Sequence, residues 1–353
     1  MRPVALALVA HGIRPSLVFT GQHAGLDLTE FGLGDFRTVR LDCRGREDPH
    51  DHVRHVNRAV LPLLRDAPDL LVVQGDTSSA LGAALAAFTA GVPVAHVEAG
   101  LRTHDPMLPW PEEEYRSAID AHAELLFVPT ELSAANLRAE QVPGEIHVTG
   151  NTGIDAVVEV LSRLSPPPER RAGEFRLLVT CHRRESWRDG LKSIAVALRE
   201  IASGGVRVDF VLHPNAFVAD SMRRLLGGTR GIDLLEPCNH DELIQRMRGI
   251  DLVLSDSGGM QEEAAALGVP LLVLRDRTER PEAIACGGVE LVGTESRRIV
   301  SAVRQWLKLP VAHSRALPFG DGRAGERIAA IIEEWLRDKD TLSPRMTAVP
   351  VIV

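Results

Sequence analysis

The sequence predicts an α/β protein with two Rossmann-like domains, each built on a doubly wound parallel sheet. Three observations support this class. Apolar runs of strand length alternate with helix-like segments through most of the 353 residues. A polar, proline-rich linker at 165–174 divides this alternation into two halves. Each half also carries one copy of a faint repeat of strand, small-residue turn, helix, Gly-Val-Pro and strand, beginning at Asp69 and Asp251.

The predicted strands are spaced so that a helix fits between most neighbours. In the first half they are 16–20, 36–41, 69–74, 92–97, 125–129 and 145–150. In the second half they are 175–180, 206–212, 232–237, 250–255 and 270–274. We therefore expect domains at 1–164 and 175–322, with a helix at about 323–337 packing back on the first domain. Ligands of such sheets bind at the carboxyl ends of the strands, so the expected site is a deep cleft between the domains.

Composition and charge exclude several classes of function. The net charge is -8 and no basic patch is present, so nucleic acid is not an expected partner. The longest apolar runs are strand-sized, so no membrane span is predicted and a cytoplasmic protein is expected. His50, His52 and His55 lack the cysteine or carboxylate that would complete a metal site. The cysteines form no CxxC pair and predict neither zinc nor a disulfide framework: Cys43, Cys181, Cys238 and Cys286.

A turn of small residues after the apolar run 250–254 is the most informative part of the chain. Ser257, Gly258 and Gly259 separate that run from a helical pattern. Bare backbone N–H groups at a helix N-terminus, with no bulky side chain in the way, are typical of a phosphate site. Two carboxylates in the first turn are candidates to accept ribose hydroxyls: Glu262 and Glu263. The alternative is an ordinary strand-to-helix corner.

Polar and charged residues cluster directly after predicted strands, which favours one shared site over scattered solvated loops. In the first half these residues are Asp76, Glu98, Glu112 and Glu113. In the second half they are His182, Arg183, Arg184, Glu185, His213, Asn215, Glu279, Arg280 and Glu282. Individual alternatives stay open. Asp76 is also a candidate N-cap for a helix near Ser78. Glu112 follows Pro111, and the alternative role for its carboxylate is to favour the N-terminus of a helix. Arg183 and Arg184 are open to surface pairing with nearby carboxylates.

An ordered series of motifs covers nearly the whole chain. It comprises GQH (21–23), GDT (75–77), HVEAGLRT (96–103), PWPEE (109–113), TGNTGIDA (149–156), HRRES (182–186), SDSGGMQEE (255–263), RDRTERPEA (275–283), LVGT (291–294) and FGDG (319–322). This series resembles the non-hydrolysing UDP-N-acetylglucosamine 2-epimerases, which share the two-domain architecture of GT-B glycosyltransferases. The resemblance implies an isomerase that needs neither metal nor nicotinamide cofactor, uses a UDP-sugar and forms a homodimer.

The resemblance also implies roles for individual residues. The family's catalytic acids match Asp76, Glu98 and Glu112, and its active-site histidine matches His182. Substrate-binding positions match Arg183 in HRRES, His213 near the sugar or effector region, Ser257, Gly258 and Gly259 at the diphosphate, Glu263 at the ribose and Arg280 on the phosphate side. Gln22 and His23 fall where the family holds a second UDP-N-acetylglucosamine molecule as an activator.

The implied reaction interconverts UDP-N-acetylglucosamine and UDP-N-acetylmannosamine. No carbonyl adjoins C2 of the sugar, so inversion there requires elimination of UDP, a 2-acetamidoglucal intermediate and re-addition of UDP. Three alternatives stay open at this point. They are a hydrolysing epimerase that releases free N-acetylmannosamine and UDP, a GT-B glycosyltransferase, and a nucleotide-sugar-binding module without turnover.

The largest departure from the family is at the start of the chain. The family's opening strand and its GTRPEAIK loop have no counterpart, and MRPVALAL begins where the first helix should lie. The first strand of a doubly wound sheet is central, and the loop after it contacts the nucleotide. We therefore expect a strand-wide gap or a disturbed order in the first sheet, low stability and weak uridine binding. We also expect the native start to lie upstream of Met1.

Overall fold

The computed structural model describes residues 1–22, 27–165, 174–181, 189–309, 316–340 and 349–352. These residues form two compact units. The first unit combines Met1–Ala156 with Phe319–Val353, and the second is Val157–Pro318. The first unit is therefore assembled from two stretches that are far apart in the sequence.

The strands fall into two parallel sheets, one in each unit. The first sheet contains β1 (Pro15–Phe19), β2 (Thr38–Arg40), β3 (Leu71–Gln74), β4 (Val94–Val97), β5 (Leu125–Val128) and β6 (Glu145–Val148). The second contains β7 (Arg176–Thr180), β8 (Arg207–Val211), β9 (Ile232–Leu235), β10 (Leu252–Ser255), β11 (Leu271–Val273) and β12 (Val289–Leu291). A further strand, β13 (Val349–Ile352), belongs to the first sheet.

Helices alternate with most of these strands. Those that begin in the first unit are α1 (Arg2–Ala10), α2 (Pro49–Val60), α3 (Ser78–Ala90), α4 (Glu112–Asp120), α5 (Glu131–Glu140) and α6 (Thr152–Arg163). In the second unit they are α7 (Asp189–Ser203), α8 (Ala216–Leu226), α9 (His240–Met247), α10 (Gly258–Leu267), α11 (Pro281–Ala285) and α12 (Ser296–Trp306). The chain then returns to the first unit with α13 (Ala324–Asp340), and a 3-10 turn (Leu61–Leu64) follows α2. Among the described residues, no helix combines the length and apolar character that crossing a membrane requires.

The predicted α/β class with two parallel sheets is confirmed. The second sheet runs in the order β12-β11-β10-β7-β8-β9. Every residue of β4, β5 and β10 is buried. Helices on both faces exclude water from a parallel sheet, which explains why its strands were visible in the sequence as continuous apolar runs.

The first sheet has no gap, because β13 occupies its centre, but its strand order is disturbed, which was the other half of the expectation. The strand order is β2-β1-β13-β3-β4-β5-β6. β13 pairs in parallel with β1, with Val349 opposite Pro15, and with β3, with Val351 opposite Val72. Both Val349 and Val351 are fully buried. The backbone groups of β1 and β3 that the sequence analysis left unpaired are thus satisfied by a strand from the far end of the described chain.

α13 packs against α1 on one face of this sheet. Val4 and Leu8 of α1 share a buried apolar cluster with Ile328 and Ile332 of α13. Gly325, in the first turn of α13, lies so close to α1 that an added Cβ would stand 2.8 Å from the carbonyl carbon of Pro3. The stretch that supplies β13 therefore also covers the first helix.

Candidate active site

Two carboxylates of the first unit follow adjacent strands. Asp76 comes after β3 and Gly75, and Glu98 is the first residue after β4. The two strands pair in parallel, with Gln74 opposite Val97, so both loops leave the same edge of the sheet. The Glu98 Oε2 atom lies 3.7 Å from the position that a Cβ on Gly75 would take. The structure therefore brings these two predicted acids together.

Glu98 adopts a backbone conformation that glycine normally occupies. Its φ is +69°, and a non-glycine residue in this left-handed region costs about 1–3 kcal/mol. Strain of this size persists only where the surrounding structure fixes the residue, and it is concentrated at functional sites. The conformation of Glu98 is thus a structural reason to place it in the active site.

A buried arginine holds Asp76. Arg116 of α4 is 1% exposed, and its Nη2 atom lies 3.3 Å from Asp76 Oδ2. Asp76 is not the helix cap that the sequence left open, because Thr77 Oγ1 accepts the N–H of Ala80 at 3.1 Å at the start of α3. The carboxylate of Asp76 is 31% exposed, so it pairs with Arg116 and still reaches solvent.

α4 carries the third predicted acid in its first turn. Glu112 is the first residue of this helix, and its carbonyl oxygen accepts Arg116 Nε at 3.2 Å. Its neighbour Glu113 accepts the backbone N–H groups of Thr103 and His104 at 2.9 and 3.0 Å. Arg116 therefore links α4 to the loop after β3. We refer to the three predicted acids Asp76, Glu98 and Glu112 together as the acid cluster; Arg116 connects the backbone of Glu112 to the carboxylate of Asp76.

The amino group of Met1 lies at the same edge of the sheet, which no sequence pattern suggested. It donates to Gln74 Oε1 at 2.6 Å, and Gln74 Nε2 donates to Thr152 Oγ1 at 3.1 Å. Gln74, the last residue of β3, is thus tied to Thr152 at the start of α6.

In the second unit, the turn at 257–259 leads from β10 into α10, as the sequence predicted. We call it the glycine turn. Ser257 caps the helix, with its Oγ accepting the N–H of Met260 at 3.5 Å. A Cβ added to Gly259 would meet nothing within 4 Å. The first N–H groups of an α-helix lack partners within the helix and carry its positive dipole end, so this open surface can receive an anion.

Arg280 lies directly behind the glycine turn, and its charge is balanced there. It is 6% exposed, and its Nη1 atom stands 2.7 Å from where a Cβ on Gly258 would be. It donates to Glu262 through Nε and to Glu279 through Nη1. Glu279 also accepts Arg275 Nη2 at 2.8 Å. The charges of two buried arginines and two buried glutamates cancel. Arg280 also packs beneath the turn and so limits the space at Gly258.

Of the two glutamates in α10, Glu263 faces a pocket beside the glycine turn, whereas Glu262 pairs with Arg280. His240 Nε2 lies 2.9 Å from Glu263 Oε1, and the hydrogen bond to this carboxylate raises the pKa of His240. The pocket has a volume of about 240 Å³, and the residues that line it include Thr180, Cys181, His213, Cys238, Leu243, Gly259 and Glu263. His213, Glu263 and the glycine turn are thus brought together.

Three predicted site residues fall outside the described residues: His23, His182 and Arg183. Gln22 adjoins the start of α3, because Ser79 Oγ donates to Gln22 Oε1 at 2.7 Å. In the part of the chain that the structure describes, no group of three or more His, Cys, Asp or Glu side chains is arranged to hold a metal ion.

Comparison with known proteins decides the family. A family model described as UDP-N-acetylglucosamine 2-epimerase matches residues 7–333. The chain belongs to this epimerase family.

Individual members of the family support the assignment. A UDP-N-acetylglucosamine 2-epimerase of Salmonella typhimurium is 42% identical over 296 residues, which cover 78% of each chain. The crystal structure of the Neisseria meningitidis UDP-GlcNAc 2-epimerase bound to UDP-GlcNAc superimposes with a TM-score of 0.81 and 31% identity, covering 92% of this chain and 99% of that one. The crystal structure of the Methanocaldococcus jannaschii UDP-GlcNAc 2-epimerase in complex with UDP-GlcNAc and UDP superimposes with a TM-score of 0.83 and 31% identity. The match covers 94% of this chain and 95% of that one.

Two residues of this epimerase family member were missed by the sequence analysis. Arg116 follows Glu112 by four positions and Glu113 by three, so helical spacing alone places it beside both. That signal was available. His240 had no comparable signal, because its partner Glu263 is 23 positions away and on another helix.

Proposed function

We propose that this protein interconverts UDP-N-acetylglucosamine and UDP-N-acetylmannosamine without releasing free sugar. The observation that carries the proposal is the position of Asp76 and Glu98 at neighbouring strand ends, where Glu98 holds a strained backbone conformation. Epimerase relatives that match most of the chain, two of them solved with UDP-GlcNAc bound, support the choice of substrate.

The proposed chemistry assigns different tasks to the two units. Carboxylates of the acid cluster take the proton from C2 as UDP leaves C1, and stabilise the positive charge that develops at C1. Protonation of the resulting glycal on the opposite face, followed by re-addition of UDP, inverts C2. His182 and Arg183 are proposed to act beside the departing diphosphate.

The nucleotide is proposed to bind in the second unit. Its diphosphate would lie on the glycine turn, where the helix N-terminus offers N–H groups and positive potential. Glu263, oriented by His240, would accept the ribose hydroxyls, and His213 would lie near the sugar. Arg280 would act on the phosphate side by holding the shape of the turn beneath the diphosphate.

The test is turnover of UDP-N-acetylglucosamine in deuterated water, followed by nuclear magnetic resonance. We expect deuterium at C2 of both epimers, because the C2 proton exchanges with solvent in the intermediate. Unlabelled sugar recovered under active turnover would contradict the elimination mechanism. Steady accumulation of free N-acetylmannosamine and UDP would instead establish a hydrolysing epimerase, and transfer of the sugar to an added acceptor would establish a glycosyltransferase.

Gly259 offers a specific test of the diphosphate site. Because a Cβ there meets no protein atom within 4 Å, Gly259→Ala should leave the fold intact. Alanine also favours a helix over glycine, so the melting temperature should not fall. The added methyl group would occupy the space proposed for phosphate, and we expect UDP affinity by calorimetry to drop by roughly tenfold, about 1.4 kcal/mol. Unchanged UDP affinity would place the diphosphate elsewhere.

Further parts of the proposal concern assembly and regulation. Gln22 and His23 are proposed to hold a second UDP-N-acetylglucosamine as an activator, and Gln22 adjoins α3, the helix that follows Asp76. A homodimer in the cytoplasm is proposed from the family resemblance. Turnover that rises more steeply than hyperbolically with UDP-N-acetylglucosamine would support the activator site.

A further inference from the structure

A buried polar network lies beneath the two loops that carry Asp76 and Glu98. Its centre is Asp120, the last residue of α4, together with His96 of β4. Both side chains are fully buried. Burying charged groups is costly unless each is paired and hydrogen-bonded, so a network in this position needs a reason.

The network binds the backbone of both acid-bearing loops. His96 Nδ1 lies 2.6 Å from Asp120 Oδ1, and His96 Nε2 lies 2.9 Å from the carbonyl oxygen of Gly75. Gly75 directly precedes Asp76. On the other side, the backbone N–H of Gly100 donates to Asp120 Oδ2 at 3.1 Å, two residues after Glu98. One carboxylate is therefore connected to both loops.

The charges in the network support these contacts. Burial raises the pKa of Asp120, but the facing His96 and Arg102 outweigh it and leave the pKa below its ordinary value, so Asp120 is a carboxylate. Arg102 Nη1 lies 2.8 Å from Asp120 Oδ2. The two ring nitrogens of His96 face two oxygens, one of the Asp120 carboxylate and one of the Gly75 carbonyl. At its outer end Arg102 makes a bidentate pair with Glu140, at 2.7 Å for both bonds.

This network explains how the strained conformation of Glu98 is maintained. The left-handed φ of Glu98 is followed by a left-handed φ of +78° at Gly100, whose N–H is fixed by Asp120. A Cβ at Gly100 would stand 2.5 Å from the carbonyl oxygen of Ser133, so the loop is also confined from the side of α5. Without Asp120, the backbone after Glu98 would lose one of the bonds that hold its turn, and the Gly100 N–H would lose its acceptor.

We propose that Asp120, acting partly through His96, is a positioning residue that sets the separation and orientation of Asp76 and Glu98 for the reaction. The inference rests on the proposed epimerase function. Misplacing a catalytic group by about 1 Å can cost on the order of 10²-fold in rate. A residue that touches neither sugar nor nucleotide therefore has a large effect on turnover through the backbone of two loops.

The experiment compares Asp120→Asn with the matched control Glu140→Gln. The control removes the negative charge and one acceptor oxygen from the outer half of the Arg102 pairing but leaves the bonds to Gly75 and Gly100 in place. We expect Asp120→Asn to lower kcat by about 10- to 100-fold with KM and UDP affinity changed less than about twofold. Glu140→Gln should stay within about twofold of the wild type in kcat, because its loss is at a partly exposed ion pair.

Hydrogen exchange of the two loops separates positioning from a merely structural role. Amides at 75–77 and 98–100 should exchange faster in Asp120→Asn and not in Glu140→Gln, while the amides of β5 stay protected in both. A lower melting temperature with unchanged kcat per folded molecule would overturn the proposal. If Asp120→Asn does not fold, His96→Gln carries the test, since it removes the imidazole that connects Gly75 to Asp120.

The same data separate this proposal from the proposed function. If the wild type does not epimerise the sugar, the proposed epimerase function is wrong. Amide hydrogen exchange in the two loops would still show whether Asp120 holds their backbone. If the wild type epimerises the sugar, and Asp120→Asn equals the wild type in kcat and in the amide exchange of both loops, only the positioning role of Asp120 is ruled out.

Discussion

Replacing any acid of the cluster by its amide is expected to lower turnover by about 10²-fold or more, because positioned proton transfer contributes on that scale. The variants are Asp76→Asn, Glu98→Gln and Glu112→Gln. Each keeps the size of the side chain and removes its capacity to take a proton. UDP affinity should stay nearly unchanged, since the proposed nucleotide site lies in the second unit. Steady-state kinetics and calorimetric titration with UDP measure the two quantities separately.

Glu114→Gln is the matched control for this series. Glu114 is in the first turn of α4, like Glu112, but its side chain is 52% exposed. Glu114 has no assigned role in the reaction. We therefore expect the turnover of the Glu114→Gln variant to be close to that of the wild type. Full activity in any two of the three amide variants would contradict the proposed role of the acid cluster in proton transfer. A parallel loss in Glu114→Gln would attribute the effect of Glu112→Gln to α4 as a whole.

Val351→Asp is expected to destabilise the first unit by roughly 3 kcal/mol or more, because it removes a buried apolar side chain and places a carboxylate in its position. Val351 is fully buried in β13, between β1 and β3. Small domains are stable by only about 5–15 kcal/mol, so this is a large fraction of the total. Urea unfolding followed by hydrogen exchange should show early loss of protection in the first sheet, with the second sheet retained.

Val196→Asp provides the comparison. Val196 lies on α7 of the second unit and is 52% exposed, so the same substitution there should change stability by less than about 1 kcal/mol. Equal midpoints for Val351→Asp and the wild type would show that β13 contributes little to the first sheet. The position of this strand at the centre of the sheet would then need another explanation.

The sequence predicted most strands of both sheets, because a parallel strand that is buried on both faces appears as an uninterrupted apolar run. It did not predict β12 or β13. Glu290 interrupts the short apolar run of β12, and Pro350, which lacks a backbone N–H, argues against a central strand at β13. The partners of β13 are also at the opposite end of the chain, with Val351 beside Val72. No local pattern encodes a pairing of that sequence separation.

The candidate site divides in the same way between local and distant information. Asp76 and Glu98 were predictable because each closely follows a strand, and the glycine turn because its residues are contiguous. The neutral cluster around Arg280 was not, since only folding brings Glu262 to it from 18 positions away. The link from Asp120 to Gly75 through His96 was hidden for the same reason, as it joins a helix, a strand and a loop.

The place of β13 in the first sheet also has a consequence for how the protein is made. A ribosome delivers residues in order, so all of the second unit has been synthesised before 349–352 exists. Until then β1 and β3 expose facing edges of unpaired N–H and C=O groups, which are templates for association with other chains. The second unit is contiguous and precedes β13 in the chain, so its sheet can form before the first sheet is complete. Until β13 emerges, the nascent chain therefore exposes the two strand edges that β13 later covers, and these edges are where a chaperone would bind.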